Sequence, residues 1–234
     1  MKTVTVVIPA YNEAARIGQT VVAVRRIPEV TEVIVVDDAS TDETARAAEA
    51  AGAKVIRLPR NSGKGGALNR GVAVAAGDVV VLLDADLGET AAAARALILP
   101  VLQDEADMTV AHFPPSKKKG GFGLVRGLAR FGIRYFTGLE VQAPLSGQRG
   151  LSRKVLPAVL PFASGYGVEV ALTVRAAREG YRVREISLPM HHRETGRDLS
   201  GFLHRGRQFR DVLLTLGRLF WESRRPGRLG RVTG

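Results

Sequence analysis

The stretch Val79-Val80-Val81-Leu82-Leu83-Asp84-Ala85-Asp86 decides the fold class. Five consecutive apolar residues, three of them β-branched, predict a strand that is buried on both faces of a sheet. Two carboxylates follow directly at positions i and i+2. Both reach one divalent cation if the chain bends there, and their hard oxygens suit Mg²⁺ or Mn²⁺. An isolated Asp-x-Asp also fits a helix N-cap beside a solvated carboxylate, so the preceding strand is what favours a metal site.

Strand and helix signals alternate through the first half of the chain. Strands are predicted at 3–8, 32–36, 53–58, 79–83 and 107–112, and helices at 12–27, 40–51, 64–76 and 90–103. Ser40 and Glu43 have the spacing of a capping box that opens the second helix. This alternation predicts an α/β fold with a mainly parallel sheet covered by helices. Such sheets bind ligands beyond the carboxyl ends of their strands, where Tyr11-Asn12-Glu13, Asp37-Asp38 and Asp84-Ala85-Asp86 fall.

The second half is less regular. It predicts a loop at 114–123, a basic amphipathic helix at 124–136, a polar loop at 142–150, a helix at 165–179, an edge strand at 183–188 and a long basic helix at 199–225. The last helix carries one apolar face, for which we expect core packing while its arginines contact the surface. The face consists of Phe202, Phe209, Val212, Leu213, Leu216, Leu219 and Phe220.

Charge is unevenly distributed along the 234 residues. Residues 1–110 carry 11 Lys+Arg against 15 Asp+Glu, whereas residues 111–234 carry 23 against 8. A basic half implies an anionic partner such as phosphate groups, a membrane surface or nucleic acid, or else a solvated Arg-rich face. The absence of cysteine excludes disulfides and thiolate metal sites. Without a signal-peptide pattern or a long apolar run, the sequence predicts a cytoplasmic protein.

Two further segments could contact an anionic ligand. Asn61-Ser62-Gly63-Lys64-Gly65-Gly66-Ala67-Leu68-Asn69 is a Gly-rich turn entering a helix, where backbone N–H groups and Lys64 suit an anion. It lacks the Walker and dinucleotide-binding spacings, so a simple loop is equally compatible. Asp38 could accept hydrogen bonds from a base or a ribose hydroxyl, or it could belong to a capping turn.

Two residues of the second half are candidates with ordinary alternatives. A histidine of His191-His192-Arg193 could complete the metal shell begun by Asp86, or it could be structural. Glu169, which opens a helix after Gly165-Tyr166-Gly167-Val168, is a general base or only complements the helix dipole.

Four motifs together resemble glycosyltransferase family 2, in order and in spacing. They are Ile8-Pro9-Ala10-Tyr11-Asn12-Glu13, Val36-Asp37-Asp38-Ala39-Ser40-Thr41-Asp42, the segment 61–71, and Asp84-Ala85-Asp86. The resemblance covers roughly residues 1–110 and implies a GT-A nucleotide-diphospho-sugar transferase fold. It further implies an inverting enzyme that uses Mg²⁺ or Mn²⁺ and a UDP- or GDP-sugar donor.

The same resemblance implies roles for individual residues. Asp38 would hold the uracil or guanine base, Lys64 would lie near the base or phosphates, and Asp86 would bind the metal. The nucleotide-sugar site would consist of Pro9, Tyr11, Asn12, Glu13, Asp38, Lys64, Asp84, Ala85 and Asp86. The metal shell would consist of Asp84, Asp86 and His192.

Beyond residue 110 the chain is similar to the branch that contains polyprenyl- and dolichyl-phosphate sugar synthases and glucosyl-3-phosphoglycerate synthase. Ser146-Gly147-Gln148-Arg149 resembles the acceptor loop of the former, but Ala143 stands where those enzymes carry an aspartate, so Gln142 or Gln148 is an alternative metal contact. Gly165-Tyr166-Gly167-Val168-Glu169 and His192-Arg193 resemble the latter. The predicted acceptor contacts are Lys117, Lys118, Lys119, Arg126, Arg134, Ser146, Gly147, Gln148 and Arg149.

These observations predict one domain over 1–234, with a nucleotide-sugar half at 1–110, an acceptor half at 111–198 and a basic helix and tail at 199–234. The expected function is hexose transfer to a phosphate-bearing acceptor, either polyprenyl phosphate or a small phosphorylated acid. A phosphate nucleophile needs no base, whereas a hydroxyl needs a carboxylate, Glu169 or Asp198, with Asp86 as the metal-binding catalytic residue. We also expect peripheral contact with an anionic membrane, a homodimer and no nucleic-acid partner.

Two other functions fit parts of the pattern. A sugar-phosphate nucleotidylyltransferase has a similar fold, but it would carry a Gly-rich basic loop where Tyr11-Asn12-Glu13 stands. A nucleic-acid-binding module fits the charge alone, and it predicts aromatic residues interleaved with the basic ones.

Overall fold

The computed structural model describes residues 2–113, 123–163, 165–188 and 199–224, and the side chains of Tyr166 and of 199–205 are not described. Seven strands form one sheet in the order β3-β2-β1-β4-β6-β5-β7. The strands are β1 Val4–Ala10, β2 Val30–Asp37, β3 Lys54–Arg57, β4 Val79–Leu82, β5 Met108–His112, β6 Arg149–Ser152 and β7 Val183–Ser187. The α/β class and the parallel pairing of β1 to β4 confirm the fold predicted from the alternating signals.

Helices cover both faces of the sheet. They are α1 Ala14–Arg25, α2 Thr44–Ala50, α3 Gly63–Val74, α4 Arg95–Leu102, α5 Leu124–Thr137, α6 Leu156–Val159, α7 Val168–Arg178 and α8 Leu199–Arg224, with 3₁₀ turns at Gly88–Ala94, Arg153–Val155 and Gly165–Gly167. The helix predicted at 90–103 therefore begins as a 3₁₀ turn and becomes α-helical only at Arg95.

Strand β6 begins at Arg149, inside the polar loop predicted at 142–150, so that prediction was wrong for its last two residues. β6 runs antiparallel between β4 and β5, with Leu82 opposite Arg149 and Met108 opposite Leu151. Four residues that include an arginine and a glycine carry no apolar alternation of their own. Their strand conformation comes from pairing with two neighbours that are distant in sequence.

Three apolar clusters hold the layers together. One lies under α1 and α4 and includes Ile17, Val21 and Leu97, and another lies on the opposite face of the sheet under α3, α6 and α7. The third cluster joins α5, α7 and α8 through Ile133, Val174 and other buried residues. Helices α5, α7 and α8 thus form a layer of their own, attached to the sheet through α7.

The predicted capping box at Ser40 and Glu43 is absent. Helix α2 begins at Thr44, and Glu43 occupies its N-cap position without a side-chain cap. Ser40 Oγ instead accepts a hydrogen bond of 2.9 Å from the Asn12 backbone N–H. Asn12 Oδ1 accepts one of 2.8 Å from the Thr41 N–H. The two loops that follow β1 and β2 are therefore bonded to each other, which fixes the edge at which both strands end.

The apolar face predicted for the last helix is only partly in the core. Val212 and Leu219 are buried, but Phe209 is 39% exposed and Leu213 is 52% exposed. The prediction of core packing was wrong for these two residues, because only one side of α8 meets α5 and α7. Phe202 lies among the side chains that are not described. Within the described residues, no helix has the length and apolar composition needed to cross a membrane.

Candidate active site

A lysine and two carboxylates from distant parts of the chain meet at the carboxyl edge of the sheet. Lys64 Nζ, in the first turn of α3, lies 2.8 Å from Asp84 Oδ1 and 3.0 Å from Glu169 Oε1. Asp84 follows β4, and Glu169 lies in the first turn of α7. Burial disfavours the charge of Lys64, but Asp84 and Glu169 outweigh it and hold the pKa of the ammonium above its ordinary value. The site thus carries one fixed positive charge between two negative ones.

The loop before β6 closes this cluster from the other side. Gln148 Nε2 donates a hydrogen bond of 2.5 Å to Asp84 Oδ2, and Ser146 Oγ donates one of 3.2 Å to Gln148 Oε1. Gly147 approaches so closely that a Cβ there would collide with Lys64 Nζ and lie 3.0 Å from Asp84 Oδ1. The predicted acceptor loop therefore contacts the predicted nucleotide-sugar residues directly, and it does so only because residue 147 has no side chain.

Arg149 is fully buried, and its guanidinium connects that loop with α7. Its Nε donates to the Ser146 carbonyl at 3.0 Å, and its two terminal nitrogens donate to Thr173 Oγ1 and to the Glu169 carbonyl at 2.9 Å each. Burial lowers its pKa to about 10, opposed by the charges of Glu169 and Glu185. The fully buried Arg149 thus ties the predicted acceptor loop to the first turns of α7.

Asp38 orders the Gly-rich turn that carries Lys64. It is buried, and its carboxylate accepts hydrogen bonds of 2.7 Å and 2.9 Å from the Ser62 N–H and hydroxyl. It also accepts one of 2.8 Å from the Gly63 N–H. Both oxygens are thus engaged at the start of α3, and Asp38 fixes the position from which Lys64 projects.

The residues after β1 lie at the same edge. Pro9 is the penultimate residue of β1 and lies opposite Val36 of β2. Tyr11 follows the strand directly and is 48% exposed. Asn12 has a left-handed backbone with φ of 54°, which a residue with a short polar side chain tolerates. The Glu13 backbone N–H donates 2.8 Å to Thr44 Oγ1. Tyr11 therefore offers an accessible aromatic ring where the sequence predicted a nucleotide.

The Asp84-Ala85-Asp86 turn is held by α1, through contacts that sequence reasoning missed. Thr20 Oγ1 donates a hydrogen bond of 2.8 Å to the Ala85 carbonyl and accepts one of 2.8 Å from the Gly88 N–H. An Arg16 terminal nitrogen donates 3.2 Å to the Asp86 carbonyl. Thr20 is fully buried in a helix whose apolar spacing is ordinary, so only its unusual polarity at a core position could have indicated this role.

The two aspartates are chemically suited to a divalent cation. Asp84 and Asp86 are both partly exposed, and they follow β4 at the carboxyl edge of the sheet. In the described parts of the chain, no three His, Asp or Glu side chains are close enough to hold a metal by themselves. Mg²⁺ commonly takes one or two protein carboxylates and completes its shell with substrate phosphates and water, so the pair fits Mg²⁺ or Mn²⁺ together with a nucleotide.

Several predicted site residues cannot be placed beside this cluster. Lys117, Lys118, Lys119, His192 and Asp198 lie outside the described residues. Arg126 and Arg134 lie on the exposed side of α5. There, Arg126 donates 3.0 Å to the Gln142 carbonyl, and Arg134 lies 3.4 Å from Glu140.

Glu185, which no sequence motif indicated, holds the start of the acceptor loop. Its carboxylate accepts hydrogen bonds of 2.8 Å and 2.9 Å from the Gln142 N–H and one of 2.7 Å from the Ala143 N–H. Ala143 stands where related lipid-phosphate enzymes were expected to carry an aspartate. A carboxylate is therefore present next to this position, but it comes from β7 and serves to bind the loop backbone.

Comparison with known proteins agrees with this geometry. Residues 5–160 match the model of the family described as Glycosyl transferase family 2. Glucosyl-3-phosphoglycerate synthase of Mycobacterium tuberculosis is 34% identical over 197 residues, which cover 74% of this chain and 60% of the relative. The chain thus spans about three fifths of the length of that curated relative. An undecaprenyl-phosphate 4-deoxy-4-formamido-L-arabinose transferase of Pectobacterium carotovorum is 40% identical over 97 residues, covering 37% of this chain and 30% of the relative.

A solved structure is similar over nearly the whole chain. The M. tuberculosis synthase in complex with Mn²⁺, uridine diphosphate and phosphoglyceric acid superposes with a TM-score of 0.79 at 30% identity, covering 97% of this chain and 80% of that chain. The fold is therefore the GT-A fold that the resemblance implied. Because the family match covers two thirds of the chain, including both aspartates and the Gly-rich turn, this protein belongs to glycosyl transferase family 2.

Proposed function

We propose that this chain is an inverting, metal-dependent hexosyltransferase that moves a hexose from a UDP-sugar to a phosphate-bearing small acid. The observation that carries the proposal is the cluster of Lys64, Asp84 and Glu169 beside Asp86, at the edge where a GT-A sheet binds its ligands. A solved relative of this family holds UDP-glucose, Mn²⁺ and phosphoglyceric acid together, which supports this choice of substrates.

The donor lies along the ends of β1, β2 and β4. Pro9, Tyr11, Asn12 and Glu13 line the nucleoside, and Asp38 holds the Gly-rich turn in place beside it. Asp84, Ala85 and Asp86 face the diphosphate. Asp84 and Asp86, with His192 as the expected third ligand, would hold Mg²⁺ or Mn²⁺, and the bound cation would neutralise charge on the nucleoside diphosphate. Lys64 adds a second, protein-borne positive charge at the same place.

The acceptor enters from the side of the loop at 142–148. Ser146, Gly147 and Gln148 border the donor residues there, and Arg149 fixes the loop to α7. With a hydroxyl acceptor, its oxygen bonds to the anomeric carbon as the bond from that carbon to the diphosphate oxygen breaks. The hydroxyl proton then passes to a carboxylate, Glu169 or Asp198. With a phosphate acceptor, no proton has to be removed.

Binding of the acid should depend on positively charged side chains. Lys117, Arg126 and Arg134 are the predicted contacts of the acceptor phosphate. Arg126 is already committed to the Gln142 carbonyl at 3.0 Å, and it therefore also orders the entrance loop. Removal of such a contact should raise the KM for the acceptor more than it lowers kcat.

A second acceptor class is polyprenyl phosphate, which the exposed apolar and basic surface of α5 and α8 favours. A lipid-borne phosphate would be presented at a membrane, where such a surface would rest. Peripheral contact with an anionic membrane at the cytoplasmic face, and a homodimer, both stay predictions.

The test is an assay of nucleotide release with purified protein. UDP-glucose and GDP-glucose are compared, each with Mn²⁺, with Mg²⁺ and with EDTA, and each with phosphoglyceric acid or with a polyprenyl phosphate in detergent. We expect UDP release that requires both metal and phosphoglyceric acid. Release of pyrophosphate from UTP and a hexose 1-phosphate, without any glycosyl product, would instead establish a nucleotidylyltransferase and refute the proposal.

A further inference from the structure

Apolar side chains are exposed mainly on two helices. In the described part of the chain, ten large hydrophobic residues are exposed, and seven of them belong to α5 or α8. Their exposed fractions run from 39% to 71%. We call the surface that they form the α5–α8 face, and its apolar members are Leu124, Phe131, Tyr135, Phe209, Leu213, Leu214 and Trp221. Such a concentration on one part of a monomer indicates a binding surface.

The helical spacing brings these residues together. Leu124, Phe131 and Tyr135 are 7 and 4 residues apart, so they form one stripe along α5, and the rings of Phe131 and Tyr135 stack with centroids 6.2 Å apart. Helix α8 packs beside α5. Gly132 of α5 lies so close to Leu216 of α8 that a Cβ on Gly132 would be 3.1 Å from the Leu216 Cγ. The exposed apolar residues of α5 and α8 therefore belong to adjacent helices of one layer.

Positive charge surrounds the apolar residues. The described side chains of α5 and α8 include seven exposed arginines, which are Arg126, Arg130, Arg134, Arg207, Arg210, Arg218 and Arg224. The two helices carry only two acidic residues there, and both have partners. Glu222 lies 2.8 Å from Arg175, and Asp211 lies 3.2 Å from Arg210. The face is therefore strongly cationic as well as apolar.

This combination selects one kind of partner. A second copy of the chain, docked by a two-fold axis, would set the same arginines against themselves. A nucleic acid would leave the exposed leucines in contact with phosphate and water. An anionic lipid surface satisfies both features, because acyl chains accept the leucines and aromatic rings while headgroup phosphates meet the arginines.

We propose that the α5–α8 face docks onto an anionic membrane surface, lying in the headgroup region without crossing the bilayer. This names the surface for the peripheral contact proposed above, and it is independent of the transferase reaction itself. Docking would also affect the acceptor loop, because Arg126 and Arg130 of α5 each donate a hydrogen bond of 3.0 Å to the Gln142 carbonyl. The helix that meets the lipid therefore also holds the entrance of the acceptor loop.

Trp221 makes this proposal directly measurable, because it is the only tryptophan of the chain and lies on the face. The full-length protein is titrated with vesicles of phosphatidylcholine containing phosphatidylglycerol, and with vesicles of phosphatidylcholine alone. We expect a blue shift of the Trp221 emission and co-sedimentation with the first vesicles only, both weakened by salt. Arg218→Gln should weaken binding about fivefold, since a basic residue at such a surface contributes about 1 kcal/mol.

Matched variants separate the face from the rest of the surface. Phe131→Ser should weaken vesicle binding at least tenfold, because a phenylalanine side chain loses its burial in the lipid. Val22→Ser and Val74→Ser remove exposed apolar side chains on α1 and α3, and Arg46→Gln removes an exposed charge on α2. These three controls should bind vesicles as the wild type does. Circular dichroism and thermal unfolding verify that each variant is folded.

Three outcomes would overturn the proposal. One is equal or absent binding to both kinds of vesicle. Another is a blue shift that needs no lipid and rises with protein concentration together with a dimeric mass in light scattering, which would make a second copy the occupant. The last is that the α5–α8 face binds duplex DNA more tightly than it binds anionic vesicles. UDP release in solution is measured separately without vesicles, so failure of docking is distinguishable from failure of the proposed transferase function.

Discussion

The two parts of this molecule follow different rules. Residues 2–113 supply five strands, and β1 to β4 pair with one another in parallel. This part exposes few large apolar side chains. The described residues from 123 onward supply two short strands, one of which runs opposite to its neighbours, and they expose most of the apolar surface. The first part carries the acidic residues of the proposed donor site. The second carries most of the basic residues and the loop that closes that site.

The difference teaches how this active site is divided between chemistry and support. Asp84, Asp86 and Lys64 come from the regular part, at the ends of elements that local signals already define. Glu169 and Gln148 come from the irregular part and bond Lys64 and Asp84, while Arg149 joins the loop of Gln148 to the helix of Glu169. Substitution of Asp86 should therefore remove chemistry, whereas substitution of the supporting Arg149 should remove order.

The largest expected effect belongs to the regular part. Asp86→Asn should lower the turnover for UDP-hexose about 10²–10³-fold, because a neutral amide at the metal site gives up charge stabilisation of the leaving diphosphate. Its thermal unfolding should stay unchanged. Asp104→Asn, at the opposite edge of the sheet beside Lys2, serves as control and should keep full activity. Turnover by Asp86→Asn equal to that of the wild type would remove the metal assignment.

The next effect belongs to the irregular part and concerns stability. Arg149→Met should lower the free energy of unfolding by about 2–4 kcal/mol, since three buried acceptors lose their donor at once. Urea denaturation followed by circular dichroism measures it. Arg184→Met removes an exposed arginine of β7 whose guanidinium lies 2.8 Å from the Glu105 carboxylate, and it should change the same free energy by less than about 0.5 kcal/mol. Equal stability of the two variants would show that Arg149 does not hold the loop to α7.

A third effect joins the two parts through an ion pair. Hydrogen bonds from Arg182, and the ammonium of Lys154 at 2.6 Å, hold the pKa of Asp107 well below its ordinary value of 3.8. A carboxyl with a depressed pKa stabilises the fold above its unfolded pKa and loses that contribution as the pH falls. Asp107→Asn should therefore cost about 1–3 kcal/mol at pH 7 and progressively less below pH 4. Urea midpoints measured across this range test the sign, and a difference that grows toward acid would contradict it.

The same division decides what the sequence could predict. Strands such as 79–83 can be predicted because an apolar run is followed directly by polar residues. The sequence therefore predicted the edge of the sheet and the position of the Asp84-Ala85-Asp86 turn. Residues 149 and 150 were predicted as the end of a polar loop, but they begin β6. An arginine and a glycine form a strand here only because β4 and β5 lie on either side. The Lys64–Glu169 contact spans 105 positions, and no local pattern encodes it.

The smallest effects compare a glycine from each part. Gly18 lies within α1, and a Cβ there would be 3.7 Å from the Ala47 carbonyl oxygen, an ordinary contact. Gly18→Ala should raise the free energy of unfolding by about 0.5–1 kcal/mol, because alanine favours a helix interior, and it should leave activity unchanged. Gly147→Ala should lower activity about tenfold, because its Cβ displaces the Lys64 ammonium from Asp84 while that long side chain yields without unfolding the protein.

Thermal unfolding and UDP release on the two alanine variants complete the comparison. Gly18→Ala should change only stability and Gly147→Ala mainly activity, because a Cβ on Gly147 would meet Lys64 and Asp84 whereas a Cβ on Gly18 would meet only the Ala47 carbonyl. A fully active Gly147→Ala would mean that the close approach of the loop to Lys64 and Asp84 has no part in turnover. The loop would then support the site through Gln148 alone, whose amide donates a hydrogen bond of 2.5 Å to Asp84.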